Sequence, residues 1–173
     1  MPAATIFLHP ESYSHISIGS LTHLFQILCA LPPVVCWFTY QLLKDADSPT
    51  HRFLLGSTLL TGGFLLNEIY RIHIHLGTVG IDKPVVIAVY AGIAMFYLIS
   101  FRKQIQATPY PILLIGLGIL LVGIVIDSLR LSDQNLTNFL EGVPKLLSAT
   151  TVSFYFWIVC QQILRRAALE PGG

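Results

Sequence analysis

Five long apolar segments, separated by short stretches that hold most of the charged residues, constrain the fold of this chain more than any other feature of its sequence. A helix needs about 20 mostly apolar residues to cross the hydrocarbon core of a bilayer, because each residue rises about 1.5 Å. The pattern predicts an all-α fold, a polytopic transmembrane helical bundle of about five spans that forms a single domain over residues 1–173. The predicted spans are residues 21–43, 53–76, 84–101, 109–131 and 143–164.

The composition favours a surface that faces lipid. Hydrophobic residues make up 54% of the chain and charged residues 11%, whereas a soluble domain carries about 25% charged residues. The formal net charge of +1 argues against a nucleic acid partner, since there is no basic face to bind phosphates. Residues 1–20 contain no Lys or Arg and so lack the basic start of a secretory signal. We therefore expect the first apolar segment to stay in the mature protein.

The distribution of basic residues predicts an outer N-terminus and an inner C-terminus, because cytoplasmic loops of membrane proteins are enriched in Lys and Arg. In this orientation six basic residues lie toward the inner side, namely Lys44, Arg52, Arg102, Lys103, Arg165 and Arg166. Four lie toward the outer side, namely Arg71, Lys83, Arg130 and Lys145. Three of these four lie three or four positions after an acidic residue, which allows each to form an ion pair with that acid.

Ionisable residues gather near the predicted outer face. Residues three, four or seven positions apart share a face of a helix. This spacing places Glu68 with Arg71 and His75, Asp127 with Arg130, and Glu141 with Lys145. Because ionisable residues are costly at membrane depth, they usually turn toward partners or a cavity. We therefore predict a polar cluster between the second, fourth and fifth spans, open to the outer aqueous phase, with Asn67, Arg71, Arg130 and Lys145 as its non-acidic members.

The cluster has a structural interpretation and a chemical one. In the structural interpretation its charges pair locally or reach the membrane interface from helix ends. In the chemical interpretation the candidate catalytic residues are Glu68, Asp127 and Glu141. The candidate ligands of a divalent metal are Glu68, His73, His75 and Asp127. His73 and His75 point to different faces of a helix, which excludes the helical zinc motif but leaves mixed nitrogen and oxygen coordination across helices open.

Two weaker patterns concern other residues. His23 and His73 lie on separate predicted spans, and axial haem ligation by such a pair is a further alternative. The cysteines lie within apolar segments and form no CxxC pair, which is typical of small packing residues. They are Cys29, Cys36 and Cys160.

The stretch from Asn67 to His73, Asn-Glu-Ile-Tyr-Arg-Ile-His, is followed by Gly80 and Ile81 and by a helix that contains Tyr97. This arrangement resembles a group of uncharacterised small bacterial multispanning membrane proteins. The resemblance continues through Asp127 to Glu141 and Lys145. It implies a location in a bacterial cytoplasmic or related membrane and implies no activity. This chain departs from the group at two positions, since Asn67 and Ile74 replace acidic residues of the group.

Two functions from different classes are consistent with these patterns. The first is an accessory subunit or a small-ligand-binding membrane protein, whose partners are the lipid bilayer and other membrane subunits or a second copy of the chain. The second is a membrane-embedded, metal-assisted hydrolase acting on a lipid or amphiphile, with Glu68 or Asp127 as base or ligand and a histidine as ligand or acid-base group.

Overall fold

The computed structural model describes residues 20–43, 48–70, 72–78, 80, 83–128 and 134–169. These residues form helices and contain no strand. The described helices are α1 (Ser20–Leu42), α2 (Pro49–Tyr70), α3 (Ile72–Thr78), α4 (Lys83–Ser100), α5 (Arg102–Gln106), α6 (Tyr110–Ser128) and α7 (Gln134–Leu169). The prediction of an all-α chain is confirmed for the part that the structure describes.

Helices overlap each of the five apolar segments, and α2 and α7 begin earlier than the sequence predicted. The second predicted span, 53–76, corresponds to α2 and α3, and residue 71 between them lies outside the described residues. α2 begins at Pro49 because the Ser48 hydroxyl accepts a hydrogen bond from the His51 backbone N–H at 3.1 Å, a helix cap followed by a first-turn proline. The fifth predicted span, 143–164, lies within the 36 residues of α7. The hydropathy pattern did not predict the start of α7, because that part of the helix is polar.

Within the described residues, two stretches are long and apolar enough to cross a membrane. They are Thr22–Leu42 in α1 and Gly142–Leu169 in α7. The apolar stretches Pro84–Ser100 in α4 and Tyr110–Ile126 in α6 are shorter. The finding therefore provides two candidate spans, while the number five and the orientation stay predictions.

The described residues fall into two compact units. Unit 1 contains the residues up to Leu28 and Pro111–Tyr155, and unit 2 contains Cys29–Tyr110 and the residues from Phe156 onward. The boundaries lie inside α1 and α7, so each of these helices contributes to both units. The single-domain interpretation stays a prediction.

In unit 1, a side chain of α7 donates a hydrogen bond to a backbone carbonyl of α1. A proline in α1 leaves this carbonyl without its usual N–H donor. In a regular helix the N–H of residue 32 would donate to the carbonyl of Leu28, but Pro32 has no N–H. The Ser153 hydroxyl of α7 donates to the Leu28 carbonyl instead, at 2.7 Å. Ser153 is buried, and its hydrogen bond satisfies a backbone acceptor that has lost its partner within α1.

Unit 1 also contains a close approach between α6 and α7 that requires a glycine. A Cβ atom at Gly116 would lie 2.9 Å from Val152 Cγ2 and 3.4 Å from Thr151 Cβ. Such a distance is too short for ordinary contact, so the hydrogen of Gly116 allows the two helices to approach. Gly118, one of the other glycines in α6, has nothing within 4 Å of the equivalent position.

The core of unit 2 contains three aromatic rings contributed by α2, α4 and the residue between α4 and α5. The ring centroids of Phe53 and Phe101 are 5.8 Å apart, and those of Tyr97 and Phe101 are 5.1 Å apart. The Tyr97 hydroxyl lies 2.6 Å from Ser57 Oγ. Because Ser57 donates its single hydroxyl hydrogen to the Phe53 carbonyl at 2.7 Å, Tyr97 is the donor in this contact.

The described residues leave many large apolar side chains exposed, and their interior contains several polar side chains beside the apolar ones. Buried side chains include the polar residues Thr39, His51, Ser57, Ser148 and Ser153. Large apolar side chains are exposed, for example Phe96 at 74% and Leu59 at 67%. Only a third of each of the two long apolar stretches is buried, whereas the core helix of a soluble protein is mostly buried. The two candidate spans therefore keep most of their side chains outside the core of the described fold.

Candidate ligand-binding site

Two of the residues that the sequence singled out, Asn67 and Glu68, lie in α2, which pairs with α1 in unit 2. Near one end of the pair, the rings of Tyr40 and His51 have centroids 3.7 Å apart. Further along, a Cβ atom at Gly62 would lie 3.7 Å from Pro33 Cβ, an ordinary contact. As residue numbers fall along α1 they rise along α2, so the two helices run antiparallel within unit 2.

Asn67 and Glu68 lie in the last turn of α2. Asn67 is buried, with 6% of its surface exposed, and Glu68 is half-buried. Glu68 lies close enough to Cys29 of α1 to interact with its thiol electrostatically. The fold therefore places a buried amide next to a carboxylate at the end of α2, near Cys29 of α1.

The Asn67 side chain has a buried oxygen that needs a hydrogen-bond donor. Within the described part of the chain, Asn67 Oδ1 has no hydrogen-bond partner and no contact with solvent. A buried acceptor without a donor costs about 1–3 kcal/mol, and native proteins contain few of them. An ionised Glu68 would likewise only accept hydrogen bonds. The two side chains together are suited to a group that donates hydrogen bonds.

The other predicted members of the cluster are distributed over both units. His75 is exposed on α3 in unit 2, and Lys145 is half-buried on α7 in unit 1. Three predicted residues lie in helices but have side chains outside the described set, namely His73 in α3, Asp127 in α6 and Glu141 in α7. Arg71 and Arg130 lie outside the described residues. The structure thus places Glu68 near Cys29 of α1, and the wider cluster across three spans stays a prediction.

The metal and haem hypotheses gain no support from the described side chains and are not tested by the others. Among those described, no group of three or more His, Cys, Asp and Glu residues is placed to hold a metal ion. Two of the four candidate ligands, His73 and Asp127, are outside that set. His23, a candidate for haem ligation, is exposed and lies 3.3 Å from Gln26 Oε1 through Nδ1.

Sequence reasoning missed a buried pair of thiols in unit 2. Cys36 of α1 and Cys160 of α7 have sulfur atoms 3.8 Å apart, joined by a hydrogen bond. Cys36 also lies beside Ser57 of α2, and Cys160 lies beside Thr39. The two cysteines are 124 residues apart and match no motif, so no signal in the sequence could have identified their contact. Their burial agrees with the predicted role as small packing residues.

Comparisons with known proteins provide a family for the chain. No curated protein and no solved structure matches it. One family model, described as "Domain of unknown function (DUF8692)", matches residues 3–161. This match includes Asn67, Glu68 and most of every described helix. Because the model covers most of the chain, the protein belongs to the DUF8692 family.

Proposed function

We propose that this chain is a polytopic helical membrane protein of about five spans, with the N-terminus outside and the C-terminus inside. Its place would be the bacterial cytoplasmic membrane or a related one. In this proposal it serves as a small-ligand-binding protein or an accessory subunit, with Asn67 and Glu68 at the binding site. The ligand is a small molecule that donates hydrogen bonds, such as an amine or a polyhydroxyl compound.

The many exposed apolar side chains support the membrane part of the proposal. Hydroxyl groups inside α2 donate to carbonyl groups one turn earlier in the same helix, for example Thr58 to Leu54 at 2.9 Å and Thr61 to Ser57 at 2.7 Å. A polar side chain that is shielded from water needs a hydrogen-bond partner within the protein, and these carbonyl groups provide one. α4 and α6 are shorter than the usual span, yet 18 and 19 residues extend about 27–29 Å, close to the thickness of a hydrocarbon core.

The buried acceptor on Asn67 is the observation that carries the ligand-binding part. A leucine at this position would bury no polar atom. Asn67 instead buries Oδ1, which lacks a hydrogen-bond donor within the described residues. Polar groups at membrane depth usually mark a binding site or a pathway. A ligand that donates to Asn67 and Glu68 would remove the cost of this buried oxygen.

The test is native mass spectrometry of the protein extracted from its own membrane in a mild detergent. We expect a non-covalent adduct on the wild type that is absent from Asn67→Leu and reduced in Glu68→Gln. Gln106→Leu is the matched control, because it removes an exposed amide at the end of α5 and should keep the adduct.

Two outcomes would contradict the proposal. A wild-type protein without any adduct, and with the same stability as Asn67→Leu, would leave these residues with a packing role only. A stoichiometric divalent metal, detected by elemental mass spectrometry and lost in Glu68→Ala, would instead favour the metal-assisted hydrolase.

A further inference from the structure

We infer that unit 2 contains a second site, which binds the phosphate group of an anionic phospholipid at the basic end of the chain. The site is a cavity of about 240 Å³ lined by residues of α2, α5 and α7 and of the segment after α5. Its location in an inner leaflet rests on the membrane insertion proposed above, but its chemistry is independent of Asn67 and Glu68.

Two cations line the cavity. Lys103 comes from α5, directly after α4, and Arg166 comes from the last turn of α7. None of the described lining residues is acidic. A guanidinium group binds phosphate through two parallel hydrogen bonds, and an ammonium group binds it as a point charge. Together the two side chains supply the charge and the donors that a phosphate needs.

Neutral polar side chains complete the polar part of the wall. Thr50 lies in the first turn of α2, Gln104 lies on α5 and Gln162 lies on α7. Hydroxyl and amide groups of this kind donate to phosphate and glycerol oxygens. The cavity therefore has more donors than the two cations alone would provide.

The rest of the wall is apolar, which favours a lipid over a soluble phosphate. Phe53 and Val159 are buried, and Ile163 is half-buried. Phe53 lies closer to the middle of α2 than Thr50, and Val159 lies closer to the middle of α7 than Gln162 and Arg166, so the cavity changes from polar to apolar along both helices. A volume of about 240 Å³ is below the range of about 300–1,000 Å³ for pockets that enclose a whole drug-sized ligand. The cavity is thus of a size for a headgroup whose chains continue outside it.

The charge pattern of the sequence places this end in a suitable environment. Six of the ten basic residues lie toward the predicted inner side, where anionic lipids are enriched, and basic pockets between membrane helices on that side bind phosphate headgroups. The chain also provides a matched control, because Arg102 and Arg165 directly precede Lys103 and Arg166 and neither lines the cavity.

The experiment is a titration of detergent-purified protein with dioleoylphosphatidylglycerol, followed by native mass spectrometry. Dioleoylphosphatidylcholine and inorganic phosphate are the comparison ligands. We expect the double variant Lys103→Gln with Arg166→Gln to weaken phosphatidylglycerol binding by about 100-fold, since each charge-assisted hydrogen bond is worth at least about tenfold in affinity. The double variant Arg102→Gln with Arg165→Gln removes the same charge, and we expect less than about a fivefold loss.

Each outcome decides between the alternatives. A large loss in the cavity variant alone supports the site, and tighter binding of phosphatidylglycerol than of free phosphate assigns it to a lipid. Saturation by inorganic phosphate alone would overturn the lipid assignment. Equal losses in both double variants would overturn the site in favour of a diffuse basic surface.

Two controls concern folding and insertion. Circular dichroism checks that the variants fold, and the single variant Arg166→Gln provides a second measurement of phosphatidylglycerol affinity. Membrane extraction by carbonate tests insertion separately.

Discussion

The hydrogen bond between Tyr97 and Ser57 provides a quantitative test of how α2 and α4 are held together. The oxygen atoms are 2.6 Å apart, and 0% of Ser57 and 7% of Tyr97 is exposed. Net contributions of neutral hydrogen bonds are about 0.5–1.5 kcal/mol, and double-mutant cycles in membrane proteins average about 0.6 kcal/mol with a maximum near 1.7. Because this bond is short and buried, we expect a coupling free energy of about 1–1.5 kcal/mol.

The assay is a double-mutant cycle on the free energy of unfolding in detergent, with Ser57→Ala, Tyr97→Phe and the combination of the two. Tyr97→Phe keeps the ring against Phe101 and removes only the hydroxyl donor, so we expect it alone to cost about 1 kcal/mol. Thr58→Ala is the control for Ser57→Ala. The Thr58 hydroxyl donates to the Leu54 carbonyl of its own helix, whereas the hydroxyl next to that of Tyr97 belongs to Ser57. We expect a coupling between Thr58→Ala and Tyr97→Phe below about 0.5 kcal/mol. A Ser57 coupling no larger than this control value would refute the reasoning.

Two further predictions concern helix packing and orientation. Gly116→Ala should lower the free energy of unfolding by about 1–3 kcal/mol, because the new methyl group meets the stiff side chain of Val152. Gly118→Ala has open space and should be neutral or slightly stabilising, so equal losses in the two variants would contradict the close approach. In intact cells, a membrane-impermeant maleimide should label Asn138→Cys from outside but Gln106→Cys only after permeabilisation, and the reverse pattern would overturn the proposed orientation. The native thiols are buried, which keeps the background low.

The helices could be predicted from the sequence because the bilayer imposes one simple constraint, a run of apolar residues of sufficient length. The start of α7 was missed for the same reason, since the polar residues before Gly142 are helical without being apolar. α2 was predicted to begin at residue 53, and the cap at Ser48 extends it to Pro49. Local hydrogen-bond chemistry, which hydropathy ignores, sets these ends.

Contacts between helices were harder to predict than the helices themselves. α6 is apolar around its whole circumference, so its sequence does not indicate which face meets α7. The contact between Cys36 and Cys160 depends on the rotation of two helices about their axes and on a separation of 124 residues. Glu68 was identified because an acid within an apolar segment is unusual, whereas Lys103 and Arg166 look like ordinary inner-face residues.

The bond from Ser153 to the Leu28 carbonyl links two positions that would otherwise evolve independently. Pro32 creates the need for an external donor, and Ser153 supplies that donor from another helix. A relative that replaced the proline would regain the internal bond of α1 and could then lose the hydroxyl of α7 without penalty. The reverse order of substitutions would pass through an intermediate with an unsatisfied carbonyl. Where relatives in this family have lost both residues, we therefore expect the proline to have been replaced before the serine.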